Sequence, residues 1–308
     1  MTKTKKKTQI IKLVFGLALL LFIGWKVAAL LTKNELDDLK ISDQGLPFLL
    51  LIVALMPVNW LLESLKWQLL VKDIRAQKFG KTVKDVLAGV STSILTPNRI
   101  GNFIGRTTDM EKDIRPKAII ATIHSNIAQF IASVLFGTIG LIYAGLNEGI
   151  FDVRAIYASA AFMILLSLFL YLYPKVIDIN PFSRLYSEKT VAAINHIQDE
   201  SLSLKFSVLG LSALRYSVFL LQFFLFLRFF GAAGAITLLV PAIAIVYLIT
   251  TVVPSFLFGK LFVREASALF VLEAIGVQSS VIMATVFFLW MLNLGIPALV
   301  GGIILLRR

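Results

Sequence analysis

Two short stretches hold cations where the surrounding sequence is apolar. In PNRIGNFIGR (97–106), Arg99, Asn102 and Arg106 recur at i, i+3 and i+7 and share one face of a helix resumed after Pro97. In PSFLFGKLFVRE (254–265), Lys260 and Arg264 share a face at i, i+4, and Glu265 follows as a structural partner for one of them. A guanidinium clamps two phosphate oxygens through parallel hydrogen bonds, and an ammonium adds a point charge. Helix N-termini opening near Pro97 and Pro254 would add partial positive charge. The chemistry is therefore recognition of a phosphate or phosphodiester, such as an anionic lipid head group. Arg106 reads equally well as a topology-fixing cation at the cytoplasmic interface. Lys260 and Arg264 do not, because no other basic residue lies between Arg228 and Arg307. Cations so isolated in apolar sequence face a cavity or a partner.

Other polar residues inside apolar runs are candidates for lining the same cavity. Glu63 and Lys66, in NWLLESLKW, are spaced i, i+3 and form a mutually neutralised bridge. His124, Asn126 and Gln129 are expected to make interhelical hydrogen bonds or to line the cavity. Arg215 is placed near the inner interface, Arg228 at the outer one, and Trp60 and Trp67 serve as interfacial anchors. Asp109, Glu111 and Asp113 alternate with Lys112 and Arg115, which makes a solvated mixed-charge face. The chain has no cysteine and 2 histidines, and it has no GxSxG, HExxH or phosphate-loop pattern. No catalytic residue, metal site or cofactor is expected, and the protein is not read as an enzyme.

The elements that must position these residues are membrane helices. Of 308 residues 58% are hydrophobic and 16% charged, with a mean hydropathy of +0.85. Several apolar runs reach the roughly 20 residues that cross about 30 Å of hydrocarbon. The formal charge of +12 reflects Lys and Arg collecting in cytoplasmic loops, and nucleic acid is not implied. The basic start MTKTKKKTQIIK precedes an uncleaved first span at about 10–32, which sets the N-terminus inside. Further spans are expected at about 46–71, 118–146, 155–173, 206–230 and 278–305, with the C-terminus inside. In the loop at about 175–205, Val191, Ile194 and Ile197 mark a short amphipathic helix on the cytoplasmic surface.

Between the second and third spans, VLAGVSTSILT (86–96) is about half a bilayer long, ends at Pro97 and has basic flanks on both sides. Such a segment enters and leaves from one side, as a re-entrant hairpin. The segment 235–275 is expected to do the same from the outer side. Pro97 and Pro254 open the paired stretches, Gly101 and Gly259 each precede an arginine by five positions, and Gly105 lets a second helix approach Gly101's face. The expected architecture is all-α and polytopic, with about six full spans plus two broken hairpins. Its pseudo-repeats, about 10–146 and 155–305, form one transmembrane domain with inverted topology.

With these motifs in place, the chain resembles the lysylphosphatidylglycerol synthase transmembrane region, a flippase-like integral membrane family. Pro97, Arg99, Gly101 and Arg106 are similar to its P-G-R-x-G-E-x-x-R signature, with one extra residue before the last arginine. Pro254, Ser255, Gly259, Arg264 and Glu265 are similar to P-S-x-G-G-x-G-x-R-E. Asn102 stands where the family usually has Glu, and Lys260 is an addition. Family members fused to an aminoacyltransferase domain make and translocate aminoacylated phosphatidylglycerol. With the chain ending at Arg308, right after its last span, the resemblance implies the translocation half without the synthase. The expected function is to move an anionic or modified phospholipid or glycolipid head group between leaflets of a bacterial plasma membrane. Lipids, envelope lipid-modifying enzymes and a second copy of the chain are the partners considered. Three alternatives are a secondary transporter of a small anion, an enzyme acting on lipid-linked envelope precursors through Glu63, Asp109 or Glu265, and an accessory scaffold.

Overall fold

The computed structural model describes residues 41, 45–94, 96, 100–148, 154–176, 187–253 and 259–307. The expected first span, with Pro97, Arg99 and Pro254, lies outside these residues, as do the surroundings of Gly259 and of the Lys260 side chain. Every regular element among the described residues is helical: α1 (Gly45–Val71), α2 (Phe79–Ile94), α3 (Gly101–Thr107), α4 (Arg115–Glu148), α5 (Arg154–Leu172), α6 (Glu188–Gln198), α7 (Leu202–Phe229), α8 (Ile236–Val252), α9 (Gly259–Glu273), α10 (Ser279–Trp290) and α11 (Ile296–Leu306). A π-helical turn, Met291–Gly295, joins the last two.

Four segments are long and apolar enough to cross a bilayer: α1, Arg115–Gly145 of α4, α7, and α10 through α11. The 19-residue α5 also falls within the length of a crossing. Large apolar side chains such as Leu50, Leu165 and Phe270 point outward, as lipid-facing positions do. The amphipathic helix expected near Val191 is α6. Ser187 caps it by accepting a hydrogen bond from the Thr190 N–H, and Lys189 ties it to Asp113 through an exposed ion pair.

α2 packs against α3, and α8 packs against α9, which makes two helical hairpins. α2 is longer than the apolar run 86–96 because it continues backwards to Phe79 through Lys81, Lys84 and Asp85. Gly101 opens α3, and Gly259 is the first described residue of α9.

Packing repeats with the halves exchanged. The first hairpin packs through α2 against α11 of the second half, and the second packs through α8 against α4 of the first. The equivalent helices α1 and α7 pack against each other. This exchange is what a two-fold relation between halves requires.

Glycine sets how closely these helices meet. A Cβ on Gly301 of α11 would lie 2.0 Å from the Leu87 carbonyl oxygen of α2. On α4, a Cβ at Gly140 would lie 2.9 Å from the Pro241 oxygen and one at Gly137 2.5 Å from Leu248 Cβ. Within the first hairpin, Gly105 would meet the Ala88 oxygen at 2.5 Å and Gly89 Cα at 2.7 Å. Small residues replace the hydrophobic driving force that helices lack in lipid, by letting backbones touch. Thr92 joins the hairpin further by donating its hydroxyl to the Gly101 carbonyl at 2.5 Å.

Substituting Gly105→Leu should therefore part α2 from α3 and cost about 1–3 kcal/mol. Gly210 of α7 has nothing within 4 Å of its Cβ position, so Gly210→Ala should be neutral or raise stability by up to about 1 kcal/mol. Thermal unfolding of the two variants in the same detergent, followed by loss of the monodisperse peak, checks both signs.

Candidate functional site

In α1 the polar residues Asn59, Glu63 and Lys66 fall at i, i+4 and i+7, and in α7 Ser212, Arg215 and Gln222 fall at i, i+3 and i+10. Each set lies on one stripe of an otherwise apolar helix. α1 and α7 pack together, and the stripes meet inside the protein, where α4 and the first hairpin close over them.

Glu63 is the hub. Its Oε1 accepts from Arg106 Nη2 at 2.6 Å, and its Oε2 lies 3.0 Å from both Lys66 Nζ and Arg215 Nη1. Glu63, Lys66 and Arg106 are 2%, 1% and 3% exposed. Three cations around one carboxylate leave two positive charges uncompensated among the described residues. Hydrogen bonds and rings spread that charge. Lys66 donates to Ser212 Oγ at 3.3 Å, and to Gln129 Oε1 and the Ser125 carbonyl at 3.4 Å. Arg106 Nε donates to Asn102 Oδ1 at 2.9 Å, and Arg215 Nε donates to Asn59 Oδ1 at 2.7 Å. Arg106 Cζ sits 5.2 Å from the Trp67 ring, and Arg215 Cζ sits 5.4 Å from Trp60 and 5.0 Å from Phe219, within cation–π range.

An amide relay continues from Asn59, whose Nδ2 donates to Asn293 Oδ1 at 3.1 Å. Asn293 in turn donates to Gln222 Oε1 at 2.9 Å, and Gln222 donates to the Ile52 carbonyl at 3.0 Å. Asn293 enters this core from the π-helical turn, a type of distortion frequent at functional sites.

Of the residues expected at the site, the structure brings together Glu63, Lys66, Asn102, Arg106 and Gln129. Arg106 is buried rather than interfacial, because Glu63 reaches it. Arg264 approaches from the second hairpin: its Cζ lies 5.9 Å from the Tyr247 ring, and Tyr247 donates its hydroxyl to the Phe219 carbonyl at 3.3 Å. Two aromatic residues thus separate Arg264 from Arg215. Both repeat-related arginines keep a buried nitrogen without a hydrogen-bond partner, Nη1 in Arg106 and Nε in Arg264.

Several expectations are corrected. Trp60 and Trp67 are buried and cover arginines instead of anchoring at an interface. Arg215 belongs to the buried centre, since α7 turns its polar stripe towards α1. Arg228 donates to the Ala232 and Gly234 carbonyls and closes the turn in which Gly231 (φ 82°) and Gly234 (φ 118°) take conformations suited to glycine. His124 stands apart from the centre, with Nδ1 2.9 Å from Glu200 Oε2, and Asn126 is exposed on α4. Asn59, Gln222 and Asn293 are the members that sequence reasoning missed. Their signal was a polar residue on the buried stripe of an apolar span.

Residues 9–301 match the family model described as the Lysylphosphatidylglycerol synthase TM region. No curated protein and no solved structure gives a significant match.

Removing the hub should be more damaging than removing one of its cations. Glu63→Gln leaves three buried cations without a counter-charge, a loss of about 3–5 kcal/mol, whereas Lys66→Met leaves one cation fewer to balance. The double variant should recover part of the Glu63→Gln loss. Melting temperatures of the four proteins in a double-mutant cycle check this; additive losses would mean that the pair is not coupled.

Proposed function

Because the chain belongs to the lysylphosphatidylglycerol synthase transmembrane-region family, we propose that it translocates lipids whose head groups carry a phosphate. The observation that carries this reading is the buried excess of positive charge at Glu63, Lys66, Arg106 and Arg215, together with the unpartnered nitrogens of Arg106 and Arg264. Buried cations in excess are unfavourable unless an anion completes them. A phosphodiester brings one negative charge and oxygen acceptors to a guanidinium, and its tails remain in the surrounding lipid.

In this mechanism Glu63 holds the cations in place while the site is empty of substrate, and the head-group phosphate shares them during passage. Arg106 and Arg264, one in each hairpin, engage the phosphate from the two halves in turn, with Arg99 and Lys260 as further contacts. The glycine-packed hairpins move against α4 and α11, so that the site opens to one leaflet and then the other. No bond is made or broken. The protein works in a bacterial plasma membrane with both termini in the cytoplasm, without a cofactor, alongside enzymes that modify envelope lipids.

Reconstitution into liposomes carrying leaflet-reporting fluorescent phosphatidylglycerol tests the proposal. The protein should accelerate bleaching of inner-leaflet label by dithionite, and Arg106→Gln or Arg264→Gln should slow it about ten- to a hundredfold, the equivalent of one lost charge-assisted hydrogen bond. Rates equal to those of empty liposomes, across phosphatidylglycerol and anionic glycolipid, would sink the reading. Uptake of radiolabelled phosphate or chloride into the same vesicles would favour transport of a free anion instead.

A further inference from the structure

A second candidate site lies away from the charged centre. Between α4, α5 and the loop helix α6 there is a groove of about 430 Å³, within the roughly 300–1,000 Å³ usual for ligand sites. Ile123, Ile127, Phe130 and Leu170 form its walls, and His124 and Tyr171 are its main polar lining. Along α4 the lining runs from Ile120 to Ile131, about 17 Å of helix.

The polar end is built rather than incidental. His124 is 4% exposed, and its Nδ1 lies 2.9 Å from the equally buried carboxylate of Glu200, which lies in the link between α6 and α7. Its Nε2 has no hydrogen-bond partner. The Tyr171 ring packs on the imidazole at a centroid distance of 4.8 Å, and its hydroxyl donates to the Lys205 carbonyl. Ile197 of α6 also lines the groove. That places the His124 end level with an amphipathic helix at the membrane surface, while Phe130 and Ile131 lie deeper along α4. Polar at the interface and apolar towards the hydrocarbon, the groove matches the order of groups along one bilayer lipid.

We propose that this groove binds a single phospholipid of the cytoplasmic leaflet, with one acyl chain along Ile127, Phe130 and Leu170 and a head-group hydroxyl or ammonium donating to His124 Nε2. The occupant is lipid because the walls belong to membrane helices, with Ile123, Ile127 and Phe130 37–45% exposed on that side. An apolar groove opening there excludes water and meets acyl chains. Glu200 acts as a positioning residue: its carboxylate beside Nδ1 favours the proton on that nitrogen, so that Nε2 is left as the acceptor facing the groove. The site stands independently of the translocation reading, since none of its residues belongs to the charged centre.

The test is photocrosslinking of the full chain in liposomes of phosphatidylglycerol and phosphatidylethanolamine. Benzoylphenylalanine is introduced at Ile127, and at Leu214 and Ile139 as exposed positions outside the groove. Intact mass should show several-fold more phospholipid adduct at Ile127 than at either control. Ser167→Trp, which fills the groove, should remove that excess, and His124→Leu should reduce it. Arg106→Gln should leave it unchanged while slowing translocation, so the two proposals fail separately. Equal adducts at all three positions would reduce the groove to ordinary annular contact. A crosslink from Ile127 to another segment of the chain, or to a second copy, would assign it a protein occupant and overturn the proposal.

Discussion

One carboxylate governs the interior of this protein. Glu63 is the only acid within reach of Lys66, Arg106 and Arg215 among the described residues, and those cations come from three different helices. Coulomb attraction at 2.6–3.0 Å is large in a low-dielectric interior, but so is the cost of stripping water from each ion. The balance holds because nearly every remaining valence is used. Asn59, Asn102, Gln129 and Ser212 take the spare protons, and Trp60, Trp67 and Phe219 offer ring faces to the guanidiniums. Without Glu63, the seam between α1 and α7 would carry unbalanced charge, and the first hairpin would lose its anchor at Arg106.

Glycine contacts make that anchor reachable. α3 is only 7 residues long and has little surface with which to hold itself in place. Gly101 and Gly105 seat it directly on the backbone of α2, which turns the Arg106 side chain inward. Gly301 and the Gly137–Gly140 pair then fix each hairpin against the opposite half. Backbone contact supplies position and the ionic centre supplies orientation.

The spans were legible in the sequence because apolar length and basic flanks are direct physical requirements of a bilayer. α1, α4, α5 and α7 begin and end close to where those signals place them. Both hairpins were legible from the Pro–Gly breaks, and the 9–301 match agrees with the family resemblance carried by the same motifs. The site was only half legible. Glu63–Lys66 is a local i, i+3 pair and could be read, but Glu63–Arg106 spans 43 residues and no periodicity encodes it. Arg215 was placed by its distance from the loop, whereas helix rotation decides its environment. Trp60 and Trp67 follow the composition of interfacial anchors, yet cation–π contact with buried arginines governs them. Asn293 depends on a π-helical turn, which one extra residue per turn creates and hydropathy does not reveal.

The two halves share a fold but not an electrostatic design. In the register that sets the start of α1 on the start of α7, Glu63 falls on Leu220 and Lys66 on Phe223. The second half therefore has no counterpart of the hub. Its repeat-related arginine, Arg264, meets the Tyr247 ring, and Tyr247 packs edge-on against Tyr216 and Phe223. An arginine against a ring keeps its hydrogen-bonding edge available, whereas an arginine paired with a carboxylate has part of that edge occupied. Arg106 is paired with Glu63 and Asn102, whereas Arg264 lies against the Tyr247 ring. The two hairpin arginines are thus placed by different physics, one by a carboxylate and one by an aromatic face.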